Sequence, residues 1–152
     1  MTIETSRLNG WGITLLRVVT GVVFIAHGWQ KLFVWGFDGV AQAFGQMGIP
    51  FAAASAVGVT LLEFFGGVAL VAGLFTRFVA LPLAATMLVA MLQVHASGGF
   101  FMPNGIELTL ILFAATAGLA LTGAGELALD NALARRKVGG AAYAAPRAVA
   151  AS

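Results

Sequence analysis

The 152-residue sequence contains no cysteine. That removes structural disulfides, exchange through a CxxC pair, thiolate-bound metal and covalent c-type haem attachment. Charge is equally scarce. Asp, Glu, Lys and Arg together make up 9% of the chain, against about 25% in ordinary soluble domains. The formal net charge of +2 is small and dispersed, which argues against nucleic acid as a partner. No Gly-rich phosphate loop, nucleophile elbow or Rossmann fingerprint is present. The first residues carry Glu4 and Arg7 and no basic region leading into an apolar core and cleavage site, so no removable signal peptide is expected.

What the chain has is apolar length. Hydrophobic residues make up 60% of it, and Gly alone counts 20, the small residue that lets helices approach closely in lipid. Four apolar segments follow one another: Trp11 to Trp35, Ala52 to Phe75, Phe78 to Ala96 and Ile106 to Thr122. Each approaches the roughly 20 residues a helix needs to cross the hydrocarbon core. The expected fold is all-α, an integral membrane four-helix bundle. Thr76-Arg77 makes a very short connection, so the second and third spans form an antiparallel hairpin. Val40 to Met47 reads as a short interfacial helix, and Glu126 to Lys137 as a short amphipathic surface helix. The expected organisation is an N-terminal segment over 1–10, a membrane domain over 11–137 and a flexible tail over 138–152.

Basic residues set the expected orientation. Arg7, Arg77, Arg135, Arg136, Lys137 and Arg147 all fall on one side of a four-span chain. Both termini are therefore expected in the cytoplasm, in a multi-pass inner-membrane protein. Anionic lipid would hold the basic end of the surface helix.

Glu63 is the only charged residue in its apolar run. A carboxylate at the bilayer centre costs about 2.5–3.5 kcal/mol on insertion scales, so it persists where it is paired, hydrated or protonated. It is the first functional candidate; the plainer reading is a protonated clamp between helices. In the first span Arg17, Thr20, Phe24, His27 and Lys31 step by three and four and share one helix face. Lys31 either turns inward with this face or snorkels to the headgroups. Arg17 is expected to play a structural part by pairing with Glu126 or Asp130. His95, Asn104 and Glu107 lie at the outer end of the third and fourth spans, level with His27, Gln30 and Lys31. The expectation is a funnel of polar groups that opens outward and ends at Glu63. Glu107 has a plainer role at a helix N-terminus, and His95 as an interfacial hydrogen-bonding group. Haem between His27 and His95 is disfavoured because nothing else marks a haem pocket and two histidines are few, and zinc on His27, His95, Glu63 and Glu107 because the helical spacing matches no ligand motif.

Taken together, these residues resemble the DoxX family of small bacterial membrane proteins, including its DoxD-like members. The likeness runs through Arg17, Gly21, Phe24, His27-Gly28 and Lys31-Leu32, then Gly48-Ile49-Pro50 and Glu63 with Gly66-Gly67. It continues through Gly73-Leu74-Phe75-Thr76-Arg77, Met87, His95, Gly98, Phe100 and Asn104-Gly105-Ile106-Glu107, and closes with Gly123, Gly125 and Leu129-Asp130. The resemblance implies a four-helix membrane bundle associated with quinol oxidation or thiosulfate:quinone oxidoreduction, and partners in redox-stress and thiol-detoxification systems. The enzymatic role expected is at most that of a subunit of a quinone-linked oxidoreductase. Glu63, His95 and Glu107 would carry protons. His27, Gln30, Lys31 and Asn104 would contact the quinone, with Phe24, Phe64 and Phe100 as an apolar slot. Arg17, Arg77 and Asp130 would be structural. Electrons would come from a redox partner protein, and the chain could also self-associate. The alternative is a non-enzymatic scaffold for a redox or stress-response complex, or a small-solute carrier. The absence of visible inverted repeats fits a carrier poorly.

Overall fold

The computed structural model describes residues 2–134. Arg135, Arg136, Lys137, Arg147 and the expected tail over 138–152 lie outside the described residues. Within them the protein is helical, in the order α1 (Thr2–Trp29), α2 (Gly36–Gln46), α3 (Ala52–Ala72), α4 (Thr76–Val89) and α5 (Glu107–Thr122). Three helical runs are long and apolar enough to cross a membrane: Leu8–Gln46, Ala52–Ala72 and Thr76–Gly98. The protein is an all-α membrane protein. α5 is apolar but shorter; at 1.5 Å per residue its 16 residues span about 24 Å.

The first run is not a single α-helix. α1 passes into a π-helical segment, Gln30–Trp35, before α2 begins. The short helix expected over Val40 to Met47 therefore starts four residues earlier, and it continues the first run. Its Val40 is buried as α2 packs on α3. A second π segment, Ala90–His95, ends α4.

α1 and α3 are held close by glycine at the crossing. A Cβ on Gly67 would sit 2.7 Å from the Gly21 carbonyl oxygen, and one on Gly21 would sit 2.8 Å from that of Gly67. Neither position tolerates a side chain without moving a backbone. The core lies between α1, α3, α4 and α5 and is built from Phe24, Leu70, Leu83, Met87, Leu112 and Leu119.

After α5 the chain turns at Gly123 and Gly125, and residues 129–134 are helical. The helix expected from Glu126 thus begins three residues later. Backbone hydrogen bonds fasten this segment to the bundle. The Glu126 N–H donates to the Gly10 carbonyl at 3.2 Å and the Asp130 N–H to the Gly73 carbonyl at 2.9 Å.

Candidate functional site

Polar side chains gather at two opposite ends of the packed helices. At the end where α3 turns into α4 is Arg17, in the middle of α1 and 1% exposed. It forms no ion pair with Glu126 or Asp130, contrary to the expected partnership. Its guanidinium instead donates to the carbonyls of Leu70 and Leu127, and to that of Val71 at 3.0 Å. Leu70 and Val71 lie in the last turn of α3, where carbonyls lack the usual i+4 partner; that of Leu70 also accepts from the Gly73 N–H at 3.0 Å. Arg17 adds a donor to both and ties α3 to the segment after α5. Asp130 does the complementary task at the start of α4. Its carboxylate accepts from the Phe75 N–H at 2.8 Å and the Thr76 N–H at 3.0 Å. Phe75 has φ of 49°, a left-handed conformation that costs a non-glycine residue about 1–2 kcal/mol; the two bonds from Asp130 offset it. Arg77 is exposed and reaches the Thr122 carbonyl at 3.5 Å.

The other end is built differently. Lys31 does not snorkel. Its ammonium turns inward and forms an ion pair with Glu63, whose side chain is 3% exposed. Each charge thereby avoids burial alone, which is the costly state. The pair lies on the wall of a cavity of about 240 Å³. His27 and His95 line the same cavity, with Phe24, Met87 and Leu112 among its apolar walls. Among the described residues, no three His, Asp or Glu side chains gather closely enough to hold a metal ion.

The two π segments explain how the walls are assembled. Lys31 lies in the first and His95 in the second. Ala90 and His95 both line the cavity although they are five residues apart. In an α-helix such residues point about 140° apart. A π turn, with its i→i+5 period, brings them to one side. His95 is further fixed by a 3.1 Å hydrogen bond between its Nδ1 and the Asn104 backbone oxygen.

The structure thus brings together His27, Lys31, Glu63 and His95, and it leaves three other candidates outside the cavity lining. Gln30 is exposed on the π segment. Asn104 contributes its backbone oxygen to His95. Glu107 accepts from the Met102 N–H at 3.3 Å and so braces the loop before α5. The expected slot of Phe24, Phe64 and Phe100 reduces to Phe24. Phe64 belongs to an aromatic cluster with Trp29, Phe33 and Phe65, and Phe100 packs edge-on against Phe101. Met102, Pro103 and Gly105 are cavity residues that reading the sequence missed. They come from the loop after the second π segment, which folds back over the site.

Comparison with known proteins gives a consistent picture. The DoxX family model matches residues 12–96. The Bacillus subtilis protein named "Putative oxidoreductase CatD" is 37% identical over 119 residues, covering 78% of this chain and 84% of the relative. Two Escherichia coli proteins also match. Inner membrane protein YqjF is 30% identical over 132 residues, covering 84% of this chain and 95% of the relative. Inner membrane protein YphA is 29% identical over 125 residues, covering 78% and 88%. No solved structure matches.

Proposed function

The chain belongs to the DoxX family, and from that premise we propose that it is a redox-associated inner-membrane subunit that binds a quinone or quinol headgroup in the Lys31–Glu63 cavity. The observation that carries this reading is the position of that ion pair, on the wall of an apolar-sided cavity that two histidines share. A pair needed only to lock helices would be closed off by packing. The cavity, at about 240 Å³, is smaller than the roughly 300–1,000 Å³ of sites for drug-sized molecules. It suits a single ring, with an isoprenoid tail left in lipid.

Quinone reduction takes up two electrons and two protons, one proton at each carbonyl oxygen. The Lys31 ammonium would donate to one oxygen and His95 or His27 to the other. Glu63 balances the Lys31 charge in the resting state; when quinol is oxidised it accepts one of the two protons, and the neutral imidazole of His95 or His27 accepts the other. The electrons come from, or go to, a separate redox protein. The name of the Bacillus relative supports the oxidoreductase assignment, and the names of the Escherichia coli relatives support the location.

The same reading takes four crossings with both termini in the cytoplasm. α5 is short for a span, but the loop before it exposes Phe100, Phe101 and Met102, which extend its apolar belt. The chain lacks native cysteine, so single introduced cysteines report topology cleanly. A cysteine at Ser152 should be shielded from an impermeant maleimide in intact cells, and one at Phe101 should not.

The decisive experiment is quinone analysis of the protein purified in mild detergent beside Glu63→Gln. Near-stoichiometric quinone in the parent and its loss in a folded variant is the expected result. A folded parent with no quinone sinks the reading and favours the scaffold, in which the ion pair only joins the first π segment to α3.

A further inference from the structure

A second, larger cavity of about 530 Å³ opens at the far end of the bundle, where α3 turns into α4 and the segment after α5 crosses the start of α1. Its polar residues include Arg77, Glu126, Asp130 and Asn131. Two of these are already committed. Asp130 accepts the Phe75 and Thr76 N–H groups. The Asn131 amide donates to the carbonyls of Gly125 at 2.7 Å and Glu126 at 3.0 Å.

Arg77 and Glu126 are not committed in this way. Arg77 has the Thr122 carbonyl at 3.5 Å, the outer limit of a hydrogen bond. The Glu126 side chain rests over Gly10, close to where a Cβ would sit. Among the described residues its carboxylate has no hydrogen-bond or ion-pair partner. Among the described residues, one cavity therefore presents a guanidinium held only by one long hydrogen bond and a carboxylate with no polar partner. Its position gives the level. Arg77 stands in the tight connection between two membrane-crossing helices, and Phe75 and Phe78 beside it are strongly exposed. A basic residue in so short a connection marks the membrane–water boundary, and the two phenylalanines reach into its apolar side.

We propose that this cavity binds the headgroup of a zwitterionic, amine-bearing phospholipid such as phosphatidylethanolamine. The planar guanidinium of Arg77 matches a phosphate through paired N–H donors. The Glu126 carboxylate accepts the ammonium. Charge selects between lipids. An anionic headgroup without the amine would satisfy Arg77 but set its phosphate against Glu126 and Asp130. The volume falls within the range of small-molecule sites, and the exposed Phe75 and Phe78 offer apolar surface to the acyl chains. This site is separate from the Lys31–Glu63 cavity and stands or falls independently of it.

Native mass spectrometry of the full-length, delipidated protein tests it, with phosphatidylethanolamine and phosphatidylglycerol of identical acyl chains added in turn. The wild type should retain the ethanolamine lipid about three- to fivefold better, the range of a partly exposed ion pair. Glu126→Gln should erase that preference, and Arg77→Gln should lower retention of both lipids. Millimolar inorganic phosphate should displace neither. Equal retention of the two lipids by the wild type overturns the proposal without recourse to any variant. So does a preference that survives Glu126→Gln, or displacement by phosphate, which would identify a simple anion site.

Discussion

The two ends of the packed helices use buried charge in opposite ways. At one end Arg17 and Asp130 aim at backbone. The guanidinium satisfies the last carbonyls of α3 and that of Leu127, and the carboxylate satisfies the first N–H groups of α4. These groups replace partners that helix ends lack. At the other end Lys31 and Glu63 aim at each other, beside two histidines and an open cavity. The first arrangement spends its hydrogen-bonding capacity on the fold. The second keeps some for a ligand. Buried charge in a membrane bundle therefore does not by itself mark a reactive site; what the charge touches does.

The comparison breaks most forcefully at Arg17. Arg17→Ala removes a donor from three carbonyls; that of Leu70 keeps the Gly73 N–H, and those of Val71 and Leu127 lose their partner. Each buried group left unpaired costs about 1–3 kcal/mol, so two give a loss of about 2–6 kcal/mol. Thermal unfolding in detergent should show it as the largest drop in Tm among substitutions at this end. A drop no larger than that of a surface mutant would mean that the carbonyls find water, and that this end is not the lock described.

Asp130→Ala should come next. It strips the cap from α4 and leaves Phe75 in a left-handed conformation with no compensating bond. Losing a helix cap costs about 0.5–2 kcal/mol. Proteolysis of the 123–134 segment should accelerate in parallel, because Asp130 is one of its anchors. An unchanged Tm with unchanged proteolysis would remove Asp130 from the locking end.

Much of this contrast could be read from the residues alone. The step of Arg17, Thr20, Phe24, His27 and Lys31 places them on one helix face, and Arg17, Thr20 and Phe24 are buried. Glu63 stands out because its apolar neighbours cannot stabilise a charge. The partners were less legible. Nothing in the spacing says that Arg17 prefers carbonyls to Glu126 or Asp130, since backbone acceptors leave no mark in sequence. Nor does the pattern say that Lys31, near the expected end of a span, turns inward. That depends on the π segment in which it lies, and π turns arise from packing rather than from a residue code. The same applies to His95 and the loop from Met102 to Gly105. Helical periodicity of 3.6 carries no information about a five-residue step.

His95 sharpens the comparison with a smaller effect. It holds one hydrogen bond, to the Asn104 backbone, worth about 0.5–1.5 kcal/mol. His95→Ala should lower stability by about 1 kcal/mol while reducing quinone retention much more. If both fall together in proportion to unfolding, His95 serves the loop and not the ligand.

The smallest change in stability should come from the most drastic change in chemistry. Replacing both members of the ion pair, Lys31→Met with Glu63→Met, removes two charges together and leaves neither one stranded. Apolar replacement of a buried pair is often neutral or stabilising, whereas removing one partner costs about 3–5 kcal/mol. The double variant should stay within about 1 kcal/mol of the parent, and Glu63→Gln alone should be clearly less stable. Quinone retention should fall at least about tenfold in the double variant, the equivalent of about 1.4 kcal/mol of lost binding. That combination cannot come from damage to the fold. A well-folded double variant that keeps its quinone would place recognition elsewhere and reduce the pair to a helix clamp. One that fails to fold would join Lys31 and Glu63 to Arg17 and Asp130, and the two ends would then differ in geometry but not in kind.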